Sequence, residues 1–389
     1  MATQPAAWTI RAAAGAATAS AAAICHGRRQ LRTLSADELP GSGAAPRRVF
    51  VVGAGVVGAT SAYALARRGV RVVLLDAGAC PAQGCSKVNA GSLTPAPWGG
   101  LITSPGMLRT LCGAVLSGDP VFQFKYRDLL FDLKFWRFAV PYLSAALWRP
   151  WRERNEEFVA QNLGFFVKAT MDIVEAEGAR GLCYGRTNTY LDGAEPPAQT
   201  AADAGGGPGH VVETSGIASF EPSLSSLGTR VTGAVHYPQA LFMHCADFVQ
   251  ELTAVLQQKY GAEVRCSVNV QRIIADRGRV CALRCADGEE IVVEDDDVVL
   301  VCCGATTSEL LEPLHVRTPI FPMKGYSITI KVPDELLPHM PRHMLVHKKY
   351  HMYVSPYPGG RLRFTSIAEF GSGGFCPWDA TAGTGGSGA

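Results

Sequence analysis

The first strongly apolar block of the chain is Val49-Phe50-Val51-Val52. A short uninterrupted run of this kind predicts a strand covered on both faces, as in a parallel sheet. Glycines follow it. A helical pattern then runs from Val56 to Arg68 and is closed by Gly69, a residue suited to the C-terminal cap. Arg71 to Leu75 predict a second buried strand. Strand, helix and strand in so short a span make a βαβ unit.

Further along, the pattern changes. From about residue 92 to 260 helical periodicity dominates; between Glu156 and Glu177, Val159, Leu163, Phe166 and Ile173 recur at helical spacing. The Pro/Ala/Gly-rich stretch Ala194 to Gly209 predicts a surface loop. Strand patterns return at Val264 to Ile274, Val280 to Cys285 and Ile291 to Val293, separated by turns at Asp276-Arg277-Gly278 and Asp287-Gly288. Val298 to Cys303 predict another buried strand, ending at Gly304, and Ser327 to Val332 a further one.

The expected organisation is a leader and linker (1–46), the first part of a nucleotide-binding domain (47–91), a mainly substrate or cap segment (92–260), the second part of the nucleotide-binding domain (261–318), substrate-domain strands (319–370) and a low-complexity tail (371–389). The fold class is α/β: a Rossmann-type domain, split in sequence, with an interleaved α+β substrate domain. The glycine-rich tail has almost no apolar pattern with which to offset its ordering entropy.

Composition narrows the function. At 389 residues and 47% hydrophobic, the chain can bury a sizeable core. A net charge of +2 leaves no electrostatic footprint for nucleic acid. No uninterrupted apolar stretch is long enough for a spanning helix. The 12 cysteines never fall as C-x-x-C, so buried free thiols are expected, with no metal site. Residues 1–46 differ from the rest. They are rich in Ala, Ser and Thr, carry Arg11, Arg28, Arg29 and Arg32, and have no acid before Asp37. That composition resembles an organelle transit peptide, mitochondrial first and plastid second. A disordered leader or a misassigned start codon is the competing reading.

Gly53-Ala54-Gly55-Val56-Val57-Gly58 matches G-x-G-x-x-G. Gly53 permits the tight turn, Gly55 lets a diphosphate approach the backbone, and Gly58 lets the helix pack on the sheet. The helix N-terminus offers unpaired N–H groups to the anion. Asp76, at the end of the second strand, has the chemistry to accept hydrogen bonds from adenosine ribose hydroxyls and to repel a 2′-phosphate. With strand, helix and acid all in place, the motif is a strong one.

An NAD-binding domain would continue in further βαβ repeats. Here the pattern stops after Asp76 and gives way to the small polar segment Gly84 to Ser92, and nucleotide-domain strands resume only near residue 264. A split domain with a long insertion suits FAD, whose length calls for backbone contacts from distant segments. Ser86 to Gly91 are expected along the diphosphate and ribityl chain, with Ala90-Gly91 near the flavin ring. An ordinary surface loop is the alternative for that segment.

These residues resemble the D-amino-acid-oxidase-like family of FAD oxidoreductases, and within it the D-amino acid dehydrogenases of the small-subunit type. The stretches that carry the resemblance are 49–63, 86–95, 220–224 (Phe-Glu-Pro-Ser-Leu), 298–305, 322–327 (Pro-Met-Lys-Gly-Tyr-Ser) and 368–370. The resemblance implies dissociable FAD, since no histidine stands near Asn89-Ala90-Gly91 where covalent-flavin relatives carry one. The expected cofactor contacts are Gly53, Ala54, Gly55, Val56, Val57, Gly58, Asp76, Ser86, Asn89, Ala90, Gly91, Val270 and Gly304. Two departures stand out. A C-terminal Gly-His-Gly-like turn of the family is not found after Glu369, so the chain reads as truncated. Tyr237 to Asp247 also differ from the family pattern.

The resemblance further implies oxidation of a D-amino acid at Cα, with hydride transfer to the flavin and hydrolysis of the imino acid to a 2-oxo acid and ammonia. The flavin carries the redox chemistry and the protein orients the substrate. No catalytic base is assigned. Candidate pocket residues are Tyr326, Tyr353 (Tyr350, three residues away, cannot share its strand face) and Arg363, with Arg361 on the same face. For each, a half-buried Tyr or a solvated Arg is the plainer reading. The alternatives are a 2-hydroxy-acid or N-methyl amino acid dehydrogenase, or a non-catalytic flavoprotein fragment. The acceptor is a quinone, an electron-transfer protein or oxygen. Leu129 to Trp151, apolar and aromatic with Lys134, Arg137, Arg149 and Arg152, reads as a core helix pair interrupted at Pro141, or as a peripheral membrane contact.

Overall fold

The computed structural model of the chain describes residues 47–93, 113, 121–125, 129–178, 183–191, 209–347 and 350–371. The leader, the loop through residue 208 and the tail from residue 372 lie outside the described residues. In chain order, β1 (Arg48–Val52), α1 (Val56–Ala66) and β2 (Val72–Leu75) lead to the short α2 (Cys85–Val88) and β3 (Ser92–Leu93). Then come β4 (Phe122–Phe124), α3 (Leu133–Leu147), α4 (Arg149–Glu177), β5 (Cys183–Leu191), β6 (His210–Glu213), α5 (Ile217–Phe220) and β7 (Val231–Phe242). Next are α6 (Cys245–Tyr260), β8 (Glu263–Arg265), β9 (Val270–Asp276), β10 (Arg279–Cys285), β11 (Glu290–Val292), β12 (Asp297–Val301) and α7 (Thr307–Leu311). β13 (Lys324–Lys331), β14 (Met344–His347), β15 (Met352–Tyr357) and β16 (Arg361–Phe370) complete the order.

The first domain is three-layered. Its parallel sheet has the order β12-β1-β2-β8. Alternate residues of β1 and β2 point to opposite faces. Val49, Val51, Val72 and Leu74 pack with Ala59 and Ala62 of α1 and with Phe248, Val249, Leu252 and Leu256 of α6. Phe50, Val52, Val73 and Leu75 pack with Ile273, Leu283 and Ile291 of the antiparallel meander β9-β10-β11. Covering both faces is why these strands are apolar without alternation. Each such side chain contributes roughly 1.5–3 kcal/mol relative to exposure.

The second domain is built on a sheet ordered β13-β16-β15-β14-β5-β7-β3, with β4 joined to β16 and β6 to β7. Helical periodicity over 92–260 therefore misses the strands β5, β6 and β7, whose pairing partners lie far away in sequence. The expected division at residue 260 also moves: α6 packs on α1 and belongs to the nucleotide-binding layer, so that domain resumes before Cys245.

Three smaller corrections follow from tertiary geometry. The strand expected over 264–274 is two strands. Ser267 adopts φ +60°, and Ser267 N–H and Val268 N–H bond to the Gly78 and Asp76 carbonyls, which carries the chain from the parallel sheet into the meander. Pro141 lies inside α3; the break comes at Trp148, whose extended backbone separates α3 from α4. On α4, Ile173 is buried but Phe166 is exposed; the side chains of Val159 and Leu163 lie outside the described residues. Around α3, Phe131, Leu133, Leu147 and Trp148 are exposed, and among its own residues Ala139 and Ala146 are buried. The pair is thus only partly a core element. Among the described residues, no helix is long and apolar enough to cross a membrane.

Candidate cofactor site

β1 ends at Gly53, which has φ +103°. A Cβ there would lie 2.5 Å from the Cys302 carbonyl oxygen, and one at Gly58 would lie 1.8 Å from the Gly53 oxygen. The protein's own packing requires both glycines. Gly55 is different, since its Cβ would meet only Ser86 Oγ, at 3.4 Å. Its open side is an approach to the backbone from outside the chain. Ala54 is buried beneath the turn and Val57 is exposed on the first turn of α1. Val56 N–H donates to Ser86 Oγ at 3.0 Å.

Asp76 fastens this turn. Its Oδ2 accepts the Ala54 N–H at 2.5 Å and its Oδ1 accepts the Gly78 N–H at 2.8 Å. Burial pushes the carboxyl above its ordinary range, against the pull of those two donors. Gly304, with φ +58°, follows β12, and no atom lies within 4 Å of a Cβ built on it. Gly53, Asp76, Ser267-Val268 and Gly304 gather at the carboxyl ends of the parallel strands, the edge at which open α/β sheets bind ligands. Val270 does not join them. Its side chain lies in the meander core, and the backbone bonded to Asp76 and Gly78 is that of Val268 and Ser267.

The Asn89-Ala90-Gly91 turn is held from the second domain. Arg363 Nη1 donates to the Asn89 carbonyl at 2.8 Å. Ser355 Oγ and Tyr357 OH donate to the Ala90 carbonyl at 2.9 and 2.8 Å. Gly91, at φ +73°, is pressed so close to Met243 that a Cβ would lie 1.9 Å from the Met243 oxygen. Arg363 is buried, and it also donates to Thr329 Oγ1 at 2.8 Å and meets His244 Nε2 at 2.9 Å. The reading of Arg363 as a free partner for a substrate carboxylate is corrected accordingly: it clamps the turn. Arg361 does share its face, and pairs with Asp247 at 2.5 Å.

The two tyrosines separate. Tyr353 lies opposite Thr365 in the β15–β16 pairing, on the face that carries Ser355 and Tyr357, and packs near Phe242, Met344 and Val346. Tyr326 lies opposite Ser366, one residue on, so it faces the other side. Its hydroxyl donates to Glu369 at 2.9 Å, and Lys125 pairs with the same carboxylate. Tyr326 is therefore not brought to the turn. Sequence reasoning missed His244, Asp247, Ser355, Tyr357 and Thr365. For His244 and Asp247 the signal available was the departure of the 237–247 stretch from its family pattern; no local signal marked Ser355, Tyr357 or Thr365.

The donor set suits a dinucleotide with a flavin end. Gly55 leaves the backbone approachable, the N-terminus of α1 faces the same edge, and Asn89 Oδ1 is buried without a hydrogen-bond partner. A buried acceptor of that kind calls for a donor from outside the chain. Thr365 Oγ1 is buried without a partner as well.

Comparison with known proteins agrees with this geometry. Residues 48–384 match the family described as DAO, FAD dependent oxidoreductase. The chain is 29% identical over 339 residues to a D-amino acid dehydrogenase of a Methylobacterium strain, covering 83% of this chain and 75% of that protein. It is 29% identical over 333 residues to the D-amino acid dehydrogenase of Azorhizobium caulinodans, covering 83% and 76%. Glycine oxidase from Geobacillus kaustophilus superposes with a TM-score of 0.52 at 20% identity, over 83% of this chain and 72% of that one. Iminodiacetate oxidase from Chelativorans gives 0.52 at 20% identity, over 84% and 73%. With a split nucleotide domain, a glycine turn at the sheet edge and a family match over most of its length, the chain belongs to the DAO family of FAD-dependent oxidoreductases.

Proposed function

We propose that this oxidoreductase oxidises the Cα–N bond of D-amino acids, to imino acids that hydrolyse to 2-oxo acids and ammonia. The observation that carries this reading is the turn Asn89–Gly91, clamped by Arg363, Ser355 and Tyr357 against the face that also bears Tyr353 and Thr365. The names of the D-amino acid dehydrogenases with which the chain aligns support the substrate class. FAD supplies the two-electron acceptor for the hydride from Cα.

The chain's own residues bind and orient. Gly55 and the first turn of α1 receive the diphosphate, Asp76 offers the remaining lone pairs of its carboxylate to ribose hydroxyls, and Asn89 Oδ1 accepts from the cofactor. Tyr353 and the unpartnered Thr365 hydroxyl form the wall on which the substrate's polar groups rest. An amine bound in its neutral form needs no protein base, since its lone pair assists loss of the hydride.

The test is turnover by the full chain with FAD added. D-alanine and D-proline are assayed with an artificial electron acceptor against L-alanine, glycine and D-lactate. Formation of pyruvate and ammonia from D-alanine, and of the cyclic imino acid from D-proline, whose ring nitrogen is retained and gives no ammonia, is the expected result. Turnover of D-lactate alone would move the enzyme to 2-hydroxy acids and sink the proposal. Oxygen uptake compared with reduction of a quinone analogue identifies the acceptor class.

A further inference from the structure

His244 and Arg363 meet at 2.9 Å, Nε2 to Nη2. A guanidinium can only donate, so Nε2 must accept and the ring proton must sit on Nδ1. Nδ1 lies 2.8 Å from Asp247 Oδ1, the acceptor such a proton needs. The Asp247 backbone N–H also points at Nδ1, at 3.3 Å. The shorter carboxylate contact and Arg363 together select the Nδ1–H form. The series from Asp247 through His244 and Arg363 to the Asn89 carbonyl then has one consistent proton arrangement, with a neutral imidazole.

We propose that Asp247, His244 and Arg363 form a positioning relay that holds the Asn89–Gly91 turn in its cofactor-receiving shape, and that protonation of His244 releases it. The proposal rests on the reading that this turn contacts FAD. An imidazolium would present a second donor to Arg363 where an acceptor is required, and would add a cation beside two others. The surrounding groups are Asp247 and Cys245 from α6, Arg361 and Arg363 from β16, and the Tyr357 ring from β15 at 4.9 Å. Burial pushes the Cys245 thiol and the Tyr357 phenol up, so both stay neutral through the range in which histidine titrates. One carboxylate thus faces two guanidinium groups. Burial lowers His244 below its ordinary value of 6.5, Arg361 and Arg363 act in the same direction, and Asp247 opposes them. The neutral form that Arg363 needs is the form present at neutral pH, and it is lost in acid.

The relay differs from a static packing contact in its dependence on pH. FAD binds the form with neutral His244, so its apparent dissociation constant rises as that form is depleted. One pH unit below the midpoint the affinity falls roughly tenfold. The experiment titrates the full chain, freed of flavin, with FAD between about pH 5 and pH 8, following quenching of flavin fluorescence. The wild type should lose affinity in acid. His244→Gln, whose amide oxygen accepts from Arg363 but does not titrate, should bind with a flat profile and near wild-type affinity at the alkaline end. Asp247→Asn should move the midpoint to lower pH, because the carboxylate favours the imidazolium.

A pH-independent wild type, or an acid loss retained in His244→Gln, overturns the relay. If His244→Gln does not fold by circular dichroism, Asp247→Asn decides, and an unmoved midpoint overturns the proposal. Gly55→Val tests the underlying cofactor site separately. Full FAD binding by that variant refutes the site, whereas loss of binding there together with unchanged pH slopes in the other variants refutes the relay alone.

Discussion

The Asp76 carboxylate reaches across from the end of β2 and accepts the Ala54 N–H at 2.5 Å, so the acid expected at the ribose is also the lock on the glycine turn. Its other oxygen holds the Gly78 N–H. Asp76→Ala should therefore weaken two properties together. Loss of hydrogen bonds to a charged group costs about 1.5–3 kcal/mol each. Thermal unfolding of the flavin-free chain should show lower stability, and FAD titration a weaker affinity. Unchanged stability with weakened FAD would mean that the ribose role stands alone.

The glycines of the motif should separate by experiment. Gly58→Val drives a side chain into the Gly53 carbonyl, 1.8 Å from where its Cβ would sit. Overpacking of this kind costs about 1–3 kcal/mol or more, and the unfolding temperature should fall. Gly55→Val meets only Ser86 Oγ, so the flavin-free fold should persist while flavin absorbance disappears from the purified protein. Equal destabilisation by both variants would show that Gly55 too is a packing glycine.

Glu221, fully buried, should give the fold an acid-sensitive element. Burial raises its carboxyl, but hydrogen bonds from His343, from Ser223 and from the Arg342 and His343 backbone outweigh that, and the net shift is below the ordinary 4.5. A carboxyl depressed in the folded state stabilises above its unfolded pKa, and the contribution is lost as pH falls through the folded value. Denaturant unfolding of the wild type should weaken in acid over that window. Glu221→Gln should be less stable near neutrality by about 1.5–3 kcal/mol, with a flatter acid limb. An identical acid limb in both proteins would place the sensitivity elsewhere.

We propose that residues 1–46 direct the chain to mitochondria, on the strength of four arginines with no acid before Asp37. A fusion of those residues to a fluorescent protein should colocalise with a mitochondrial dye. Plastid signal would select the runner-up, and diffuse fluorescence would remove the targeting role.

The nucleotide-binding layer was legible in the chain because its signals are local. Val49 to Val52, the spaced glycines and Asp76 lie within a short span, and their chemistry is set by backbone sterics at neighbouring positions. The turn at Asn89–Gly91 could be singled out for the same reason, as a small polar segment where a further βαβ repeat was expected. Tertiary structure decided what holds that turn. Arg363 stands 274 residues from Asn89, and no periodicity in either segment announces their contact. It likewise decided that Tyr353 and Tyr326 face opposite sides, because a register shift between Gly325 and Tyr326 sets which face Tyr326 takes. Strands β5 and β7 stayed hidden because pairing with each other, and of β5 with β14, stabilises them, and local propensity does not. The fold class follows from local pattern; the placement of His244 between a carboxylate and a guanidinium exists only once α6 and β16 are brought together.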